Sequence, residues 1–508
     1  MDLITNLGDG FSALLDPLTL LSLLAGVFVG TVVGVLPGIG PVGAMAILLP
    51  LTFTLDPAAG IIMTTGIFLG SQYGGSTTAI LVGVPGEASS VVTTLDGYPM
   101  AKKGRAGAAL AVSALGSFVA GTLEVLLLMV LTSPLSDFAA KFSAPEYLLI
   151  ALFALVALSR LTGGSGLLTL VGVGVGLLLA TIGLDSNTGN ARFTLGITEF
   201  LDGIDITPVA VGMFGIAEIL LMAENREHAT LMPKVPFRSL WPTRSELRRS
   251  GGPMVRGGFI GFLLGMIPGP SAVVATYASY AVEKRVSKHK DEFGKGAIEG
   301  VAGPEAANNG AAGGAMVPLI VLGLPFSGVT ALLLAGFTIH GVTPGPLFIE
   351  YEPVLFWTLI ASLYAANLAL LVLNLPLVSL FTALLRIPRD LLMAFVLVIA
   401  VIGTYATRNA IVDVFWLLVM SVLGYVFVKV GISRVAVILA FVIAPMLESS
   451  LTQTVSLAQG DPFYVLERPI SLAIVIIIVL VAVVPGVLRA VARRRKVTSA
   501  LDVEADQT

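Results

Sequence analysis

A proline–glycine breaker interrupts an apolar segment twice in this chain, at Val35-Leu36-Pro37-Gly38-Ile39-Gly40-Pro41 and at Met266-Ile267-Pro268-Gly269-Pro270-Ser271. An ordinary helix does not run through either. Proline removes an N–H donor and clashes with the preceding turn, and glycine opens dihedrals that other residues avoid. The first prolines lie 231 positions apart (268 − 37), nearly half of the 508 residues. A second pair, Ile80-Leu81-Val82-Gly83-Val84-Pro85 and Ile320-Val321-Leu322-Gly323-Leu324-Pro325, recurs at an offset of 240, which also places Gly70 on Gly310 and Gly74 on Gly314. The chain reads as two related halves. Broken apolar segments at corresponding positions of two halves point to the binding site of a membrane transporter.

The breakers matter because everything around them is apolar. Hydrophobic residues make up 56% of the chain and charged ones 12%, against about 25% charged in an ordinary soluble protein; the mean hydropathy is +0.95. The expected fold is an all-α polytopic membrane protein with about 12 transmembrane segments, its two inverted-topology repeats containing re-entrant hairpins and broken helices. The 56 glycines suit helices that pack closely or break. The absence of cysteine excludes disulfides, thiol chemistry and Cys metal sites. His228, His289 and His340 are too scattered for a His-based metal centre, and no cofactor is expected beyond Na⁺ as a candidate coupling ion. The N-terminus lacks the basic region of a cleavable signal peptide.

Lys and Arg give the orientation. None precedes Lys102, whereas Asp2, Asp9 and Asp16 precede or begin the first apolar run, so the N-terminus is placed outside and Lys102-Lys103-Gly104-Arg105 in the cytoplasm. Apolar runs then alternate. Residues 106–131 go out, 146–160 return to Arg160, 165–183 go out to a polar loop at 184–206, and 208–222 come in. The stretch 223–252 carries Arg226, Lys234, Arg238, Arg244, Arg248 and Arg249 and reads as a cytoplasmic linker. The second half thus starts inside and the first outside, which is an inverted repeat. Ile349-Glu350-Tyr351-Glu352 falls outside, 354–385 lead in to Arg386 and Arg389, and 391–404 lead out. Residues 411–428 return to Lys429 and Arg434, 435–447 lead out, and 470–490 end inside at Arg493-Arg494-Arg495-Lys496.

The division that follows is a first repeat over 1–222, with a hairpin around 37–41, a broken segment at 60–85 and scaffold helices at 106–222. The linker is followed by a second repeat over 253–490, with a hairpin around 268–270, a broken segment at 296–345 and scaffold helices at 354–490; a cytoplasmic tail spans 491–508. The arms 253–267 and 271–282 are roughly 22 and 18 Å long at 1.5 Å per residue, too short for a core of about 30 Å. A helix starting after such a tip aims free N–H groups and a positive dipole end at the midplane, which suits a carboxylate without a buried arginine. Pro37, Gly38, Ile39, Gly40 and Pro268, Gly269, Pro270, Ser271 are therefore candidate substrate-binding positions. The competing reading is a pair of proline kinks in packed helices.

Two polar blocks add donors. Gly70-Ser71-Gln72-Tyr73-Gly74-Gly75-Ser76-Thr77-Thr78 makes Ser71, Gly74, Gly75, Ser76 and Thr77 candidates, against a glycine/serine packing face. The counterpart offers Glu305, Asn308, Asn309 and Gly310, with Glu305, Asn308 and Gly74 as candidates for the coupling ion. Intramembrane carboxylates are functional candidates by default. Glu124 and Glu218 join Glu305, with Glu218 read as snorkelling to the interface and Glu305 open to pairing with Lys295. Arg408 and Asp413 read as an outer-surface pair, and His340 as a helix-packing residue rather than a proton relay.

The blocks Gly34-Val35-Leu36-Pro37-Gly38-Ile39-Gly40-Pro41, Gly70-Ser71-Gln72-Tyr73-Gly74-Gly75-Ser76, Pro304-Glu305-Ala306-Ala307-Asn308-Asn309-Gly310 and Gly341-Val342-Thr343-Pro344-Gly345-Pro346 resemble the large membrane subunit of the tripartite tricarboxylate transporters, the TctA family, over roughly residues 15–440. The resemblance implies a multi-pass protein of the bacterial inner membrane, with a periplasmic N-terminus and cytoplasmic C-terminus on the orientation above. It implies two partners, a small four-helix membrane subunit and a periplasmic solute-binding protein. It implies uptake of citrate or another carboxylate with Na⁺ or H⁺ and without ATP, and no enzymatic activity. No nucleic-acid partner is expected. The alternatives are a stand-alone carboxylate symporter, a channel, or an intramembrane transferase, although no metal-ligating carboxylate cluster or Ser/His or Ser/Lys dyad is visible.

Overall fold

A computed structural model describes residues 3–35, 39–161, 165–185, 188–224, 240–375 and 389–484. Pro37 and Gly38, half of the expected linker (225–239) and the expected tail lie outside these residues. The described chain is helical apart from one two-stranded ribbon, Gly183–Leu184 with Ala191–Arg192.

The first half runs through α1 (Leu3–Leu14), α2 (Pro17–Gly34), α3 (Gly40–Leu48), α4 (Pro57–Val82), α5 (Val91–Lys102), α6 (Ala106–Ala139), α7 (Ala144–Leu161), α8 (Gly166–Ala180), α9 (Ile206–Ala210) and α10 (Ala217–Glu224). A π-helical stretch, Val211–Ile216, joins the last two. The second half begins with α11 (Arg244–Gly265), α12 (Ser271–Val286), α13 (Glu299–Leu322), α14 (Gly328–Ile339), α15 (Phe348–Tyr351) and α16 (Pro353–Asn374). Helices Arg389–Arg408, Ile411–Val430 and Arg434–Ala458 follow.

Local chemistry sets these boundaries. Asp16 and Asp56 cap α2 and α4, accepting the N–H groups of Thr19 and Ala59 at 3.0 Å each, with Pro17 and Pro57 at the first helical position. Both α4 and α13 stop at a left-handed glycine, Gly83 (φ 72°) and Gly323 (φ 69°). A capping box follows each stop, at Glu87/Ser90 and Ser327/Thr330. Both correspondences keep the 240-residue offset of the sequence motifs.

Glycine decides the packing of α2 on α4 and of α11 on α13. A Cβ on Gly26, Gly30 or Gly34 would stand 2.4–2.6 Å from the carbonyl oxygens of Met63, Ile67 and Ser71. A Cβ on Gly257, Gly261 or Gly265 would stand 2.2–2.4 Å from those of Gly303, Ala307 and Ala311. The two glycine triplets are 231 apart, and the two sets of carbonyls 240 apart. In return, Gly70 and Gly74 sit on α2, and Gly310 and Gly314 on α11. Small residues on one helix face let backbones meet directly, the usual basis of association in lipid.

Three features differ from the sequence reading. The polar blocks do not break their segments: 70–78 lie within the continuous α4 and 304–314 within the continuous α13, and the interruptions come later, at 83–90 and 323–327. Glycine here serves packing, which a helix interior accommodates once a neighbour covers it. Secondly, α11 is 22 residues long and starts inside the expected linker, because Thr243 and Glu246 form a capping box at Arg244. Finally, α6 continues to Ala139, past the expected end at 131.

Among the described residues, six helices are long and apolar enough to cross a membrane: Pro17–Gly34, Ala106–Ala139, Ile206–Glu224, Pro353–Asn374, Ile411–Val430 and Arg434–Ala458. Six shorter apolar helices accompany them, including Gly40–Thr52, Gly328–Ile339 and Pro469–Val484. The glycine-rich α4 and α13 are buried along nearly their whole length and form the centre.

Ion pairs join segments that the Lys/Arg pattern assigns to a common side. Arg105 pairs with Glu246, and Lys429 with Glu224. On the other side Arg192 reaches Glu448 at 2.6 Å and Arg468 reaches Glu146 at 2.7 Å. Arg408 pairs with Asp413, whose side chain is fully buried rather than on the outer surface.

Candidate functional site

Residues that follow both breakers line one cavity of about 610 Å³. Ile39 to Gly43 line it from the first half and Gly269 to Val273 from the second. The two interruptions complete the wall, with Pro85 to Ser89 after α4 and Ser327 to Val329 before and within α14. Ser433, Arg434 and Val435, at the start of the helix Arg434–Ala458, close another side. The chain between α13 and α14 also holds a tip directly, since Gly269 N–H donates to the Phe326 carbonyl at 3.0 Å.

Five α-helices therefore begin at this cavity: α3, α5 (at Val91), α12, α14 and Arg434–Ala458. Ser327 and Ser433 cap the last two with their own side chains. Among the described residues no side chain caps α3 or α12, the two helices that start at the breakers. An uncapped helix start combines unsatisfied N–H groups with a partial positive charge, and it favours an anion.

The sequence-derived candidates divide into two layers. Ile39, Gly40, Gly269, Pro270 and Ser271 line the cavity, whereas Pro268 does not and Pro37 and Gly38 lie outside the described residues. Ser71, Gly74, Gly75, Ser76, Thr77, Asn308, Asn309 and Gly310 stand behind the wall, which Phe68, Gln72, Ala311, Ala312 and Ala315 form at that depth. The helical period turns the glycines toward neighbouring helices. Gly74 packs on Gly34, Gly310 on Gly258, and Ser71 donates to the Phe68 carbonyl of its own helix at 2.8 Å.

That second layer is a buried polar network. Glu305, 1% exposed, accepts hydrogen bonds from Ser76 of α4, Thr93 of α5 and Ser113 of α6, the last at 2.9 Å. It does not pair with Lys295, whose carbonyl instead accepts from Lys103 at 2.6 Å. Asn309 donates to Ser117 at 2.6 Å and to the Glu305 carbonyl at 3.2 Å. Asn308 donates to Glu87, a cavity residue, at 2.8 Å, and its own buried Oδ1 has no hydrogen-bond partner among the described residues. Glu124 is buried elsewhere, between α6 and α13, where it accepts the Gly313 N–H at 3.2 Å.

The sequence reading missed Glu87, Thr93, Ser113 and Arg434. The 240-residue offset could have found Glu87, because it falls on the cap residue Ser327. In the sequence Arg434 reads only as a mark of orientation. Glu218, read as snorkelling to the interface, lines the cavity and pairs with Arg434.

The fold and site define a helical membrane protein whose two halves deliver uncapped helix starts to one shared cavity. Residues 20–439 match the tripartite tricarboxylate transporter TctA family, and the chain belongs to that family. It is 45% identical over 490 residues to an uncharacterized 52.8 kDa protein in the TAR-I ttuC' 3' region of Agrobacterium vitis, covering 96% of this chain and 97% of that one. A second Agrobacterium vitis protein, uncharacterized and in the TAR-II ttuC' 3' region, is 42% identical over 230 residues, 45% of this chain and 95% of its own length. No solved structure matches.

Proposed function

We propose that this protein is the large transmembrane subunit of a binding-protein-dependent secondary transporter that imports a carboxylate with Na⁺ or H⁺. The observation that carries the reading is the meeting of α3 and α12, both uncapped and both starting at a breaker, in one cavity. Peptide N–H groups and dipoles there replace the hydration a carboxylate loses on leaving water. Family membership supports a small membrane subunit and a solute-binding protein as partners, the latter periplasmic in an inner-membrane system.

In this reading the two halves are inverted in the membrane and give alternating access. The recurrence of glycine contacts, left-handed stops and capping boxes at fixed offsets supports two equivalent halves. Glu305 is the coupling centre. A carboxylate at this depth, held by three hydroxyls, gains a compensating charge from a proton or from Na⁺. Asn308 connects that layer to the cavity through Glu87.

Uptake of labelled citrate and other carboxylates into proteoliposomes tests this, with the partner subunits present and the Na⁺ and pH gradients varied separately. Uptake is expected to need the binding protein and one cation gradient but no ATP. Equal flux without either gradient would indicate a channel and sink the symport reading.

A further inference from the structure

We propose that Arg434 is the fixed cation that grips the substrate's carboxylate, and that Glu218 is its exchangeable counter-ion. This rests on the carboxylate reading above and names the residue that selects for charge.

Three observations converge on Arg434. It lines the cavity together with Glu218, Phe214 and both breaker tips. Its position opposes local preference, because it occupies the first turn of the helix Arg434–Ala458, where the dipole disfavours a cation. Its contacts also hold it without using it up. Nη1 donates to the Met213 carbonyl at 2.9 Å, Nη2 reaches Glu218 Oε2 at 3.1 Å, and the guanidinium lies 5.2 Å from the Phe214 ring centroid. Among the described residues these hydrogen bonds engage two of five donors.

The π-helical stretch supplies the seat. Val211–Ile216 contains both Met213 and Phe214, and Glu218 follows two residues after it. The altered pitch of a π turn frees groups that a regular helix would bond internally, and such turns recur at functional sites. One carbonyl and one ring thus fix the guanidinium plane, and Glu218 approaches through one nitrogen. A carboxylate arriving in the cavity can take the fork with two parallel bonds, which lysine cannot reproduce. Glu218 then becomes free, so binding of the anion breaks the bridge between α10 and the helix Arg434–Ala458.

The test uses the full-length protein in detergent and follows its thermal stabilisation by citrate, succinate and malonate at constant ionic strength, with chloride as control. Wild type should be stabilised by at least one carboxylate. Arg434→Gln should keep its ligand-free melting temperature within a few degrees and lose that stabilisation. Arg434→Lys, which keeps the charge but not the fork, should bind at least about tenfold more weakly, and is decisive if Arg434→Gln does not fold. Glu218→Gln should bind the same anion at least as tightly as wild type, because a competitor for the guanidinium is gone; a purely structural pair would show loss in all three variants. Binding by Arg434→Lys within about twofold of wild type would overturn the proposal while leaving the carboxylate reading intact. A wild type stabilised by none of the three anions would overturn both.

Discussion

Asn308 Nδ2 donates to Glu87 Oε1 at 2.8 Å, tying the middle of α13 to the interruption after α4. The bond joins the two halves of the chain and links the cavity wall to the polar layer behind it. Asn308→Ala removes the donor and leaves Glu87 under-satisfied, at a cost of about 1–3 kcal/mol. The expected outcome is a lower melting temperature and a several-fold higher KM for uptake. Asn308→Asp, which sets two carboxylates against each other, is expected to be worse. Unchanged transport kinetics in both variants would remove Asn308 from the site.

Glu305→Gln keeps one of the two oxygens that accept from Ser76, Thr93 and Ser113, puts an amide NH2 at the other, and removes the charge. The variant should fold, exchange substrate across the membrane and fail to accumulate it against a gradient. Glu305→Ala should be destabilised, by about 1–3 kcal/mol for each buried polar group left unsatisfied. Paired measurements of exchange and net uptake separate coupling from folding. Normal accumulation by Glu305→Gln would show that this carboxylate does not couple transport.

Two glycines of the second half should fail differently. A Cβ on Gly261 would meet the Ala307 carbonyl oxygen at 2.2 Å, so Gly261→Leu should prevent α11 from seating on α13. Overpacking of this kind costs about 1–3 kcal/mol or more, and the expected result is little monodisperse protein. Gly269 has φ 120° at a cavity tip and donates to Phe326. Gly269→Leu should insert and purify but lose uptake. Size-exclusion profiles set beside transport assays decide the matter, and full transport by Gly269→Leu removes the tip from the binding site.

His340 gives a pH signature. It is 9% exposed, packs over Gly60 and lies 3.3 Å from Thr52 Oγ1. Burial holds the imidazole below its ordinary value of 6.5, and Asp56 opposes this in part. Below that value the unfolded chain binds a proton that the native state resists, so the neutral ring contributes stability at higher pH that is lost on acidification. Melting temperature should fall as pH drops below about 6.5, and His340→Gln should show a shallower fall. Parallel curves for the two proteins would exclude the residue as the cause.

Much of this architecture was legible as pattern. The breakers at 37–41 and 268–270 fixed where helices end, because proline and glycine act on the backbone locally. The offsets of 231 and 240 reappear as contacts: Gly30 on Ile67 and Gly261 on Ala307 are the same packing made twice. The segments expected to break, 60–85 and 296–345, are interrupted at 83–90 and 323–327, after their polar blocks rather than within them. The sequence shows that Gly70–Thr78 is rich in helix-weakening residues, but not that α2 covers them. A glycine face left open would break a helix, whereas one covered by a neighbouring backbone stabilises it.

Composition and the repetition of breaker motifs at fixed offsets indicated by themselves that the chain enters a bilayer as helices, with interrupted segments at corresponding positions of two halves. These are local or periodic properties, and the backbone obeys them wherever the segment sits. Tertiary structure alone decided that the starts of α3 and α12 meet, that Glu305 gathers hydroxyls from three helices, and that Arg434 stands at the cavity with Glu218. Each of those depends on contacts between residues tens to hundreds of positions apart. A side chain's charge is written in the sequence, but its partner is chosen by the fold.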